Sequence, residues 1–96
     1  MTPYSVYVVE LESEGGGEGP AAVYVGCTGL DPEERFRRHK AGIQASGVVK
    51  RRGARLLPEL FPRPAGGFDD RSEAEKVEAE WAETLRARGY KVYGGH

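Results

Sequence analysis

A single cysteine, no long apolar run and no basic excess set the first limits on this 96-residue chain. With Cys27 alone, neither an intrachain disulfide nor a thiolate metal cluster can form. Its expected role is that of a small side chain beside a glycine turn. No stretch approaches the ~20 apolar residues of a bilayer span, and the N-terminus carries no signal-like apolar block. The expectation is a soluble, cytoplasmic protein without a membrane partner. Net charge is −1 and the pI is near 6.1, so the total charge does not by itself mark a nucleic-acid partner. Repeats are absent, and the only biased tract is the Gly/Glu segment 12–20.

What is present describes one folded domain over 1–96. Hydrophobic residues make up 39% and charged ones 30%, the balance of a globular chain rather than a disordered one. That length holds one modest core. Charge is unevenly spread. Between positions 35 and 55 lie Arg35, Arg37, Arg38, Lys40, Lys50, Arg51, Arg52 and Arg55, with no acid among them. The acids gather at 10–18 and 69–83. A local basic segment suits phosphate binding, which follows the local field rather than the total. It equally suits a solvated face or pairing with the acidic helix.

Periodicity assigns the elements. Segment 4–11 (YSVYVVEL) reads as a strand with Tyr7 and Val9 on one face and Val6 and Val8 on the other, as suits a strand covered by helices. Segment 12–20 is expected to be an exposed, flexible loop closing an antiparallel hairpin with strand 22–25, which brings Tyr7 and Tyr24 together. Gly26 and Thr28-Gly29 break that strand. Asp31-Pro32-Glu33-Glu34 then starts a helix, with Asp31 as N-cap, Pro32 at the first helical position and Glu34 placed for a capping box. Arg35 and His39 lie one turn apart on it, and Gly42 ends it. A short basic helix at 47–53 and an edge strand at 55–61 follow, since Pro58 cannot donate to a central ladder.

The long helix at 70–88 carries Ala74, Val77, Trp81, Ala82 and Leu85 on one stripe. Glu78 falls on that apolar side, one turn from Ala74 and Ala82. A buried carboxylate requires compensation, which an arginine or a metal can supply. The tail 90–93 reads as a short strand returning to the sheet, with 94–96 loose and His96 solvated. From residue types alone, segment 23–42 is either a phosphate-handling layout or a strand–turn–helix with a basic exposed face.

Tyr24-Val25-Gly26, Thr28 and Arg35-Phe36-Arg37-Arg38-His39 resemble the second half of the GIY-YIG nuclease signature. Ser5-Val6-Tyr7 stands where its Gly-Ile-Tyr would be, and Glu78, within Ser72-Glu73-Ala74-Glu75-Lys76-Val77-Glu78, matches its metal-binding glutamate. The resemblance implies an α/β (α+β) fold: a small central antiparallel three-stranded sheet flanked by helices. It implies a divalent-metal-dependent endonuclease that hydrolyses DNA phosphodiester bonds by structural rather than sequence preference. In that reading Glu78 holds Mg²⁺ or Mn²⁺, Arg35 clamps the scissile phosphate, and Tyr7 or Tyr24 handles the attacking water. His39 adds a phosphate contact or assists proton transfer. Arg37, Arg38, Lys40, Lys50, Arg51 and Arg52 hold the nucleic-acid backbone, with DNA favoured over RNA. Sequence specificity would be slight, or would come from a homodimer or a protein partner.

Two positions depart from the pattern. Ser5 replaces a glycine, and Val92-Tyr93-Gly94-Gly95 stands where many members carry an asparagine, a residue this chain lacks. A nucleic-acid-binding module without catalysis, and an interaction protein whose arginines serve internal ion pairs, are the alternatives.

Overall fold

In the computed structural model, which describes residues 3–12, 22–42 and 46–95, the alternating N-terminal half becomes a hairpin. Strand β1 (Ser5–Leu11) pairs antiparallel with β2 (Ala22–Thr28), with Tyr7 opposite Gly26 and Val9 opposite Tyr24. The tip of the expected flexible loop, 13–20, lies outside the described residues, as does His96. Helix α1 (Pro32–Ala41) starts where Asp31 accepts from the Glu33 backbone N–H at 2.9 Å, and it ends on Gly42 at φ 84°. Glu34 does not complete a capping box. Its carboxylate is drawn forward along the helix to Arg37 and Arg38, whose charge outbids a neutral backbone donor.

Helix α2 (Gly47–Arg52) leads into β3 (Gly53–Leu56), an edge strand antiparallel to β1. The strand expected at 55–61 ends at Leu56, and Pro58 opens a 3-10 turn, Pro58–Leu60. Pro62 and Pro64 follow in the loop before helix α3 (Arg71–Ala87), which Asp70 caps through the Glu73 N–H. Strand β4 (Lys91–Gly94) then pairs with β2 in parallel, giving four strands in the order β3-β1-β2-β4. The sheet is therefore four-stranded and mixed, not three-stranded and antiparallel. A helical crossover such as α3 returns the chain in its earlier direction, which permits a parallel partner. Gly94 belongs to β4 and the Gly95 N–H donates to Val25 O at 3.1 Å, so these two residues are held rather than loose.

The alternation of β1 and β2 builds two cores. Val6, Val8, Val23 and Val25 pack with Ala74, Ala82 and Leu85 of α3. On the opposite face, Tyr7, Val9, Leu11 and Ala22 pack with Val49 of α2, and Phe36 of α1 lies against them. The Trp81 indole N–H donates to Leu60 O at 2.7 Å, joining α3 to the 3-10 turn. No helix among the described residues is long and apolar enough to cross a membrane.

Candidate active site

Strand β4 pairs with β2 only as far as Val25, so among the described residues Gly26, Cys27 and Thr28 extend past that ladder. The candidate tyrosines lie near that end, Tyr7 opposite Gly26 and Tyr24 within the ladder opposite Tyr93. Tyr7 is 1% exposed and opposite Gly26. A Cβ at Gly26 would lie 2.7 Å from the Tyr7 hydroxyl oxygen and 2.9 Å from Tyr24 Cε1, so only glycine leaves the two rings their places. The rings sit 6.2 Å apart between centroids, with the His39 imidazole 6.1 Å from Tyr7 and 5.8 Å from Tyr24.

His39 is the buried residue of α1, and its hydrogen bonds assign its tautomer. The Ser46 backbone N–H donates to Nδ1 at 3.0 Å, so Nδ1 carries no proton and the neutral ring holds its hydrogen on Nε2. Nε2–H then donates to the Tyr7 hydroxyl oxygen at 2.8 Å. Burial, with the Arg35 charge second, pushes the His39 pKa down to about 4, in agreement with a ring that stays neutral at pH 7. Having accepted from His39, the Tyr7 hydroxyl directs its own hydrogen elsewhere.

Both tyrosines are held as phenols. Burial, then the neighbouring Tyr24, raises the Tyr7 pKa far above the ordinary value, while Arg35 opposes through its charge and a hydrogen bond. Tyr24 is raised by burial and then by the charge of Glu78, opposed by a Ser46 hydrogen bond and by Arg35. Tyr24 is half-buried where Tyr7 is fully buried, so Tyr24 is the one that meets solvent.

Glu78 stands on the buried stripe of α3 with Ala74, Ala82 and Leu85, and is 3% exposed. Its charge raises both tyrosines, although these lie on the opposite face of the sheet. Cys27 lies on the α3 face and hydrogen-bonds to Glu78. Burial, then that bond and the charge of Glu78, pushes the thiol up to about 12, so it remains a protonated donor. Among the described residues no group of three or more His, Cys, Asp or Glu side chains could form a metal cage. A single buried carboxylate fits a hard cation that takes its other ligands from water and substrate oxygens. It does not fit a closed structural site.

The structure thus brings Tyr7, Tyr24 and His39 into one cluster, with Arg35 and Glu78 close enough to act on both tyrosines. The basic residues expected on nucleic acid divide. Lys50 and Arg51 are exposed on α2. Arg37 and Arg38 share Glu34, whose pKa is held down, most by Arg37. Lys40 donates to Gly53 O at 2.9 Å and Lys50 O at 3.3 Å. Arg52 donates to Glu12 O at 2.7 Å and lies over the Tyr93 ring. The last two therefore tie α1 and α2 to the rest of the fold. Ser46 and the contact of Cys27 with Glu78 escape a reading of the sequence. Strand alternation, which places Cys27 with Val23 and Val25, was the available signal for the second.

A family model described as the GIY-YIG catalytic domain matches residues 3–91 of the chain. Comparison with curated proteins and with solved structures finds no match.

Proposed function

The chain belongs to the GIY-YIG family of nucleases, and on that premise we propose that it is a divalent-metal-dependent endonuclease. Its substrate would be DNA, and its choice of site would rest on structure rather than sequence. The observation that carries this reading is the Tyr7–His39 hydrogen bond of 2.8 Å set among groups that act on one another: Arg35 and Glu78 both shift the tyrosines. Structural tyrosines satisfy themselves without an arginine and a buried carboxylate converging on them.

Phosphodiester hydrolysis requires a held phosphate, an aligned water and a route for a proton. Arg35 would supply the planar fork that grips phosphate oxygens. Tyr24, reaching solvent, would align the attacking water through its hydroxyl. Tyr7 would serve as its support, its ring held over Gly26 and its oxygen held by His39. His39, neutral and with Nδ1 engaged by Ser46, would fix the direction of the Tyr7 proton. Mg²⁺ or Mn²⁺ on Glu78 would polarise the phosphate and make bound water more acidic. The Cys27 thiol would orient the carboxylate that holds the ion.

A specific observation supports a second reading, a binding module without catalysis. No asparagine exists in the chain, and at Gly95 a Cβ would overlap the Ala82 methyl, so position 95 admits no side chain in its place. One experiment separates the two readings. Supercoiled, branched and single-stranded DNA are incubated with Mg²⁺ or Mn²⁺ and wild type, Glu78→Ala or Arg35→Ala. The nuclease reading expects cutting that falls by about 10²-fold or more in each variant. Cutting that persists in both removes these residues from the mechanism. Binding without cutting by wild type establishes the second reading.

A further inference from the structure

Beside Arg35 lies a pocket of about 210 Å³ whose wall includes Arg35 and Arg38 of α1, Arg71 at the start of α3, Tyr4 and Thr28. Three arginines from two helices line it, and no carboxylate among the described residues does. Like charges brought together repel unless an anion lies between them. Arg38 and Arg71 are each anchored from outside through Nε, to Glu34 at 3.1 Å and to Glu75 at 2.9 Å. Neither bond uses the paired terminal nitrogens of the fork.

The arrangement is built by the backbone. Tyr4 N donates to Phe68 O at 2.9 Å and Phe68 N to Tyr4 O at 3.2 Å, which pins the segment before α3 to the start of β1 and so carries Arg71 to the turn after β2. The volume is smaller than the ~300 Å³ and upward typical of a site for a free small ligand. It suits a phosphodiester with part of its sugar.

We propose that this pocket is a second phosphate subsite, in which Arg38 and Arg71 grip a backbone phosphate next to the one at Arg35. The inference rests on the nucleic-acid reading above and adds a residue, Arg71, that lies outside the basic segment 35–55. Through it the substrate strand would run from α1 across to the N-terminal turn of α3, past Glu78.

The test is binding of a fluorescently labelled oligonucleotide duplex, followed by anisotropy in EDTA at several salt concentrations, so that cleavage plays no part. Arg71→Ala and Arg38→Ala are compared with Arg86→Ala, which removes the same charge from an exposed site at the other end of α3. Expected for Arg71→Ala and Arg38→Ala is affinity about three- to tenfold weaker in low salt, with the slope of log affinity against log salt reduced by about 0.7–0.9 each. Arg86→Ala should match wild type. The proposal is overturned if both pocket variants bind as wild type does, which leaves the nuclease reading standing. It is also overturned if affinity falls with the slope unchanged, the mark of a general structural effect. If wild type itself binds no nucleic acid in EDTA, the proposal falls, while the nuclease reading is decided separately by the metal-dependent cleavage assay.

Discussion

The two faces of the central sheet come from the same alternating strands yet solve different problems. Toward α3 the strands present Val6, Val8, Val23 and Val25 to Ala74, Ala82 and Leu85, a mainly aliphatic core that also buries Phe68, with one carboxylate, Glu78, on the same stripe of α3. Toward α1 and α2 they present Tyr7 and Tyr24, and the core there contains a hydrogen-bonded imidazole. The first face holds the fold together through non-directional burial. The second is directional, because each buried polar atom must find its partner, and no buried side-chain nitrogen or oxygen among the described residues lacks one. Aliphatic packing tolerates small shifts, whereas a hydrogen-bonded group fixes the orientation that chemistry needs.

The contrast can be tested from the largest expected effect downward. Leu85→Ala, at a fully buried position on the aliphatic face, should cost about 2–5 kcal/mol and lower Tm by at least about 10 °C. Any loss of nuclease activity should then follow the unfolded fraction, which parallel thermal and activity measurements would reveal. On the polar face the expected signature is pH. With a folded pKa near 4 against an ordinary 6.5, His39 is neutral when folded and takes a proton more readily when unfolded. The stability tied to the neutral ring is therefore complete above about pH 6.5 and is lost as pH falls toward 4, by up to about 3 kcal/mol. Denaturant titrations between pH 7 and 4 should show this component in wild type, and His39→Gln should flatten it. An unchanged slope in the variant would remove His39 from that role.

Smaller effects sharpen the distinction. Gly26→Ala places a methyl against both tyrosine rings and should cost about 1–3 kcal/mol, with activity falling further than Tm explains. Tyr7→Phe leaves His39 Nε2–H without its acceptor, a cost of about 1–3 kcal/mol, while Tyr24→Phe, which gives up a Ser46 hydrogen bond at a half-buried site, should cost less and still lower kcat. Equal stability losses at the two tyrosines would contradict the assignment of Tyr7 as support and Tyr24 as the residue facing water. Smallest of all is Arg37→Ala. Its ion pair with Glu34 is exposed, so calorimetry should register a change within about 0.5 kcal/mol.

Local physics settled much of this protein in advance. Period-two alternation assigns the hairpin and the sharing of a face by Tyr7 and Tyr24. Asp31-Pro32 begins α1, Gly42 ends it, and the 3.6-residue stripe of α3 puts Glu78 among buried alanines. These features depend on neighbours a few residues away, and one turn or one pleat contains the whole reason for them. Glu34 shows the limit even there, since a capping box and an i,i+3 or i,i+4 ion pair compete for the same carboxylate and only the folded helix records which one wins.

Tertiary structure decided what depends on distant segments arriving together. Whether Lys40 and Arg52 face solvent or hold backbone carbonyls depends on α1, α2 and the end of β1 meeting. The fourth strand required the α3 crossover to deliver β4 beside β2, and α3 had to pack on that sheet before the charge of Glu78 could reach tyrosines of the opposite face. Arg71 joins Arg35 and Arg38 only because Tyr4 and Phe68 bond across more than sixty positions of chain. Sequence alone determined the hairpin, α1 and α3 and the faces of their residues, because backbone periodicity is local, whereas the strand expected at 55–61 stops at Leu56. The assembly of those faces into one site was left to the packing, because the contacts that make it are between residues the chain keeps far apart.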